Sequence, residues 1–138
     1  MSASQVLDHI VSTLRDGGAF GSVSLGDDPA DTATPRACVT LTTLASGPLD
    51  DRADCRWQRV EAIVSVLARS DSPGGAIKRA LSLYDHAAEA LLQDPTRGGL
   101  CQDVPVGAAT VVLGPQADSR VALPFVRLNF AVHCHLEL

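Results

Sequence analysis

The sequence predicts an α+β fold: a mostly antiparallel sheet of about four or five strands with two helices packed on one face, in the order α-β-β-β-α-β-β. Three observations lead there. Val126, Leu128, Phe130, Val132, Cys134, Leu136 and Leu138 occupy every second position at the C-terminus, which is the period of a strand with one buried face. Two further runs, Arg36–Leu44 and Arg56–Ala68, alternate in the same way. Two other segments, near residues 4–15 and 73–93, repeat apolar side chains at helical spacing instead.

Each element follows from local chemistry. In the first helix Val6, Leu7, Ile10, Val11 and Leu14 form the apolar stripe, with Ser4 as N-cap. Asp16-Gly17-Gly18 stops it, because glycine enters the left-handed C′ conformation at little cost. A short strand from Phe20 to Leu25 feeds a polar loop, Gly26 to Pro35, that carries Asp27, Asp28 and Asp31. In the next strand Ala37, Val39 and Leu41 oppose Cys38, Thr40 and Thr42. Ala45 to Asp54 reads as a second acidic loop, with Asp50, Asp51 and Arg52, between antiparallel neighbours of a long hairpin. On the following strand Val60, Ala62, Val64 and Val66 share one face; Arg59, Glu61, Ile63, Ser65 and Leu67 share the other.

Ser72-Pro73 is a helix-start signal, serine capping and proline at the first helical position. Ile77, Ala80, Leu81, Tyr84, Ala88, Leu91 and Leu92 set the buried face, Lys78, Asp85 and Glu89 the wet one, and Pro95 ends the helix. Gly107 to Leu113 is a short strand, and Gly114 to Arg120 a turn. The last strand would reach about 40 Å. That length exceeds the needs of a small sheet and predicts pairing beyond the molecule's own strands.

The 138 residues make one domain, 1–138, with no repeat and no linker. A hydrophobic fraction of 46% is ample for a packed core, so disorder is not expected. No apolar run approaches the length of a membrane span, and residues 1–15 lack a basic start before an apolar stretch. Sixteen acids against eleven Lys and Arg, for a net charge of −5, argue against a surface that grips nucleic acid. Cys38, Cys55, Cys101 and Cys134 form no C-x-x-C pair and read as reduced, mostly buried thiols.

The sequence holds no phosphate loop, no dinucleotide fingerprint and no G-x-S-x-G elbow. Gly74-Gly75 opens a helix and reads as close packing in preference to an anion site. His133 and His135 share a strand face while Cys134 points inward; two histidines begin a zinc site but need a third ligand from elsewhere. Solvent-facing histidines at a subunit contact are the stronger reading. Cys101 lies in a loop near Asp103 without an identifiable base, so no cofactor, metal or catalytic group is expected. Trp57, between Arg56 and Arg59, has the composition of an interface anchor and equally that of a core-edge residue.

Four stretches in order carry a resemblance: SQVLDHIVSTL, CRWQRVEAIVSVLAR, the link SPGGA into AIKRALSLYDHAAEALL, and VRLNFAVHCHLEL at the end. Together they cover most of the chain; DPTRGGLCQDVPV, residues 94–106, has no counterpart. The order resembles the tail terminator, or tail completion, proteins of long-tailed bacteriophages and gene transfer agents. The resemblance implies a hexameric ring that caps the tail tube, ends its growth and meets the head connector, with DNA passing through and no membrane. Its location would be the tail of a phage-like particle, after assembly in the host cytoplasm. Six copies at −5 each sum to about −30, which would let DNA slide without sticking. The candidate interface residues are Asp27, Asp28, Asp31, Asp50, Asp51, Arg52, Arg56, Trp57, Arg59, His133 and His135. Three alternatives remain: a small metal-binding domain or enzyme using His133 and His135, an adaptor with a groove near Trp57, and another head–tail joining or tail-tube protein.

Overall fold

The computed structural model describes residues 3–26, 35–49, 52–70, 72–93, 106–113 and 125–137. Helix α1 (Ala3–Asp16) precedes strands β1 (Ser22–Leu25), β2 (Arg36–Leu49) and β3 (Arg52–Arg69). Helix α2 (Pro73–Gln93) then leads to β4 (Val106–Leu113) and β5 (Phe125–Glu137). The five strands form one sheet in the order β1-β2-β3-β5-β4. Every pairing is antiparallel except β1 with β2, which is parallel. The predicted class and element order hold.

Helix α2 starts and α1 stops where local chemistry dictates, whereas α1 begins at Ala3, so Ser4, expected as its N-cap, lies inside the helix. Ser72 Oγ accepts the Gly75 N–H at 3.0 Å, and Ala76 N–H donates to Ser72 O at 2.9 Å, so serine caps α2 at its first turn. At the end of α1, Gly18 has φ +71°, and Gly17 and Gly18 donate back to Thr13 O and Arg15 O. Arg15 then reaches across to β1, donating from Nε and Nη2 to Val23 O at 3.1 and 2.9 Å.

Both helices cover one face of the sheet. Val6, Ile10 and Leu14 of α1 and Ala76, Ala80, Ala87 and Leu91 of α2 meet Val39, Val60, Ala62, Val64 and Val66. Val126, Leu128, Phe130, Val132, Cys134 and Leu136 supply the β5 side of that core. Small alanines on α2 let the helix lie close to the sheet. Tyr84 meets Phe130 edge-on, with ring centroids 5.1 Å apart.

Several expectations are corrected. Helical spacing assigns Leu81 and Leu92 to the buried stripe of α2, but they are 44% and 53% exposed; Ala76, Leu83 and Ala87 take that role. The stripe is rotated because the small alanines, and not the leucines, permit the close approach. Most of the expected loop at 45–54 is strand: β2 runs to Leu49 and β3 starts at Arg52, so Arg52 belongs to a strand, as the sequence predicts for Arg56. Cross-strand pairing overrides the turn-like Ser46-Gly47-Pro48, and a bulge between Leu41 and Thr43 absorbs the extra residue. Asp27, Asp28, Asp31, Asp50 and Asp51 lie outside the described residues. Cys38 is a buried thiol outside any disulfide, whereas Cys134 is disulfide-bonded, against the expectation of reduced cysteines. Compartment arguments address whether a thiol stays reduced, not whether the fold brings two sulfurs within bonding distance.

The surplus length of β5 is also accounted for within the molecule. From Phe125 to Glu137 every residue pairs with β3, from Arg69 back to Trp57. A long strand needed a long neighbour, and β3 supplies it.

Candidate assembly surface

The face of the sheet opposite the helices carries no other described element. On β3 this face presents Trp57, Arg59, Glu61, Ile63 and Ser65; on β5 it presents His135, His133, Ala131 and Asn129, registered opposite Arg59, Glu61, Ile63 and Ser65. Period-two alternation puts them there, because the intervening Val60, Ala62 and Val64 are drawn into the core.

At the hairpin end these side chains form two contact groups on one face, one around Trp57 and one around Glu61. The rings of Trp57 and His135 stack at 6.3 Å with 20° between planes. The Arg59 guanidinium carbon sits 5.4 Å from the indole centroid, a cation–π contact. His133 Nδ1 lies 3.4 Å from Glu61 Oε2, both side chains more than a third exposed. Thr42, the bulged residue of β2, donates from Oγ1 to Glu61 O at 3.0 Å. Beneath the indole is Gly47 of β2: a Cβ there would come within 2.8–2.9 Å of the ring.

Of the sequence-predicted residues, Trp57, Arg59 and His135 are thus brought into contact, and His133 lies on the same face against Glu61. Arg52 and Arg56 lie on the same strand, but their side chains are outside the described set. Sequence reasoning misses three members, Thr42 among them. Glu61 shares the alternating face of Arg59, so its place becomes readable once the β3–β5 register is known; Gly47 is hidden in what reads as a loop.

His133 is engaged by Glu61 and His135 by Trp57, so the two imidazoles answer to different neighbours. Among the described residues no group of three or more His, Cys, Asp or Glu could hold a metal ion. A groove of about 470 Å³ between α1 and α2 is lined by His9, Thr13, Asp16, Gly17, Ala90 and Gln93. Thr13 donates its hydroxyl proton to His9 O at 2.8 Å, which commits it to the helix backbone. Among the described residues no helix is long and apolar enough to cross a membrane.

Two substitutions check the two contact groups. Gly47→Ala should lift the indole, cost about 1–3 kcal/mol through overpacking, and red-shift the emission of the chain's single tryptophan. An unchanged spectrum would mean that the ring does not rest on Gly47. Glu61→Gln should lower stability by less than about 1 kcal/mol, since half-exposed ion pairs are screened; thermal unfolding measures it.

The fold itself has a counterpart among solved structures. The chain is similar to one in the virion of a native gene transfer agent (GTA) particle, with a TM-score of 0.60 and 13% sequence identity. The match covers 94% of this chain and 92% of that chain. The two share one fold. The likeness to the GTA virion chain therefore extends over nearly the whole sheet and both helices, while the side chains that decorate them differ. No protein-family model matches the sequence, and no curated protein matches it.

Proposed function

We propose that the chain is a structural protein of a phage-like particle, a tail terminator that assembles as a hexameric ring at the head-proximal end of the tail tube. In this role it ends tube polymerisation, meets the head connector and leaves a passage for DNA. The observation that carries the reading is the near-full-length fold likeness to a GTA virion chain. The open sheet face supports it: a tryptophan stacked with a histidine and an arginine is the composition of an interface anchor. Such a role makes and breaks no bond, and its work is done by surfaces that repeat around an axis. Interfaces of this kind need complementary faces and edges, which the sheet supplies.

Deleting the gene and imaging the resulting particles tests the role. Tails of uncontrolled length, together with heads that carry no tail, are the expected products. Complete loss of tube would assign the chain to the tube itself, and normal particles would refute a virion role altogether. Mass spectrometry of purified wild-type particles should find the chain among their components.

A further inference from the structure

We propose that the sheet continues from copy to copy, the free edge of β2 in one chain pairing with the outer edge of β4 in the next. β1 covers β2 only from Arg36 to Val39, and Gly26 N–H donates to Val39 O at 2.7 Å, the last bond on that edge among the described residues. From Thr40 onward the outer edge of β2 has no partner strand among the described residues. Thr40, Leu41, Thr42, Thr43 and Leu44 are all exposed, Leu41 by 40% and Leu44 by 51%. At the opposite side of the sheet β4 is also terminal, paired with β5 alone.

Composition singles out these two edges. An unpaired strand is a template for another chain, and monomeric proteins blunt it with charge, proline or brevity. Here Thr40–Leu49 (TLTTLASGPL) and Val106–Leu113 (VGAATVVL) contain no charged residue. The charged side chains sit instead on the central strands, with Arg59, Glu61 and Arg69 on β3 and Arg127 on β5. The one blunting residue, Pro48, lies near the hairpin tip. Ahead of it, Thr40–Gly47 matches the 8 residues of β4 in length. β1 would act as a stop that sets the register.

Strand direction agrees as well. β2, β3, β5 and β4 alternate in direction, so β4 runs opposite to β2. Rotation about an axis along the strands preserves direction, so β4 of one copy meets β2 of the next as an antiparallel continuation. This contact joins two different surfaces and is heterologous, the kind that closes rings. Trp57, lying over Gly47 of the edge strand, then borders the joint. The inference deepens the ring reading and rests on it only for closure.

Mixing two blocked variants tests it. Leu41→Lys with Leu44→Lys charges the β2 edge; Thr110→Lys with Val112→Lys charges β4 at positions registered with Asn129 and Arg127. Thr110→Lys alone serves if that pair fails to fold by circular dichroism. By light scattering the wild type should reach multi-chain masses as concentration rises. Each variant alone should associate at least about tenfold more weakly. Because one intact edge remains on each, an equimolar mixture should stop at two chains. Wild-type association by either variant alone, a mixture that stays at one-chain mass, or a wild type that stays single up to about millimolar concentration would each overturn the inference. Rings that persist in images of both variants would overturn it while leaving the ring reading intact.

Discussion

Phe130→Ala lowers the unfolding free energy by about 3–5 kcal/mol, the range for deleting a large buried aromatic side chain. Phe130 is completely buried at the middle of β5, registered between Val64 of β3 and Ala109 of β4. Its ring also meets Tyr84 edge-on, so the substitution removes an aromatic pair along with the buried area. The space left behind cannot close easily. The sheet holds Val64 in a hydrogen-bonded ladder, and α2 already approaches through alanines that have nothing to extend. Against a typical total of about 5–15 kcal/mol, such a loss is a large share. Urea unfolding followed by circular dichroism measures it. A loss below about 1 kcal/mol would mean that α2 collapses onto the sheet and that Tyr84 is not fixed by Phe130.

Trp57→Ala has its largest effect on association. Self-assembly should weaken at least about tenfold, the order expected when a central aromatic anchor is truncated. The fold should notice much less, because the indole is half-buried and lies on the open face, outside the core cluster. What is lost locally is the His135 stack and the Arg59 contact, each worth on the order of 1 kcal/mol. Sedimentation measured alongside unfolding separates the two outcomes. If the unfolding midpoint falls as far as it does for Phe130→Ala, Trp57 is a core residue and the surface reading is wrong. If association is unchanged, the partner binds elsewhere.

The two helices and the long strands are legible in the sequence because each has one wet face and one dry face. Val6 to Leu14 and Val126 to Leu136 state their periods without interruption, and their burial follows. The arm from Ala45 to Leu49 is not legible, since serine, glycine and proline signal a turn unless a neighbour imposes pairing. Its neighbour Trp57 is what needs Gly47, and that requirement exists only across the hairpin. The buried stripe of α2 misleads for a related reason: alanines count little in a hydrophobic pattern but decide how closely a helix can lie. Length alone points to pairing beyond the molecule at β5, yet β3 is longer still and takes all of β5, while among the described residues the open edge lies on β2, where β1 covers only Arg36–Val39. Of the candidate surface, the residue types are readable and their meeting is not, because strand register is not written in one strand.

The pairing of β3 has a consequence for how the molecule comes into being. β2 and β3 are joined by a short connection and zip together locally, but β5 must return to β3 from roughly 56–80 positions further along the chain. Loop closure over that distance is slow, so the hairpin stands for a time with its β3 flank bare and its β2 flank covered only as far as Val39. During synthesis α1 and β1 emerge first, but β1 covers only Arg36–Val39, so the uncharged margin from Thr40 onward is exposed while α2, β4 and β5 are still to come. Crowded ribosomes translating this message would hold many such hairpins side by side, and chaperone dependence or low-temperature expression should govern the yield of soluble chain.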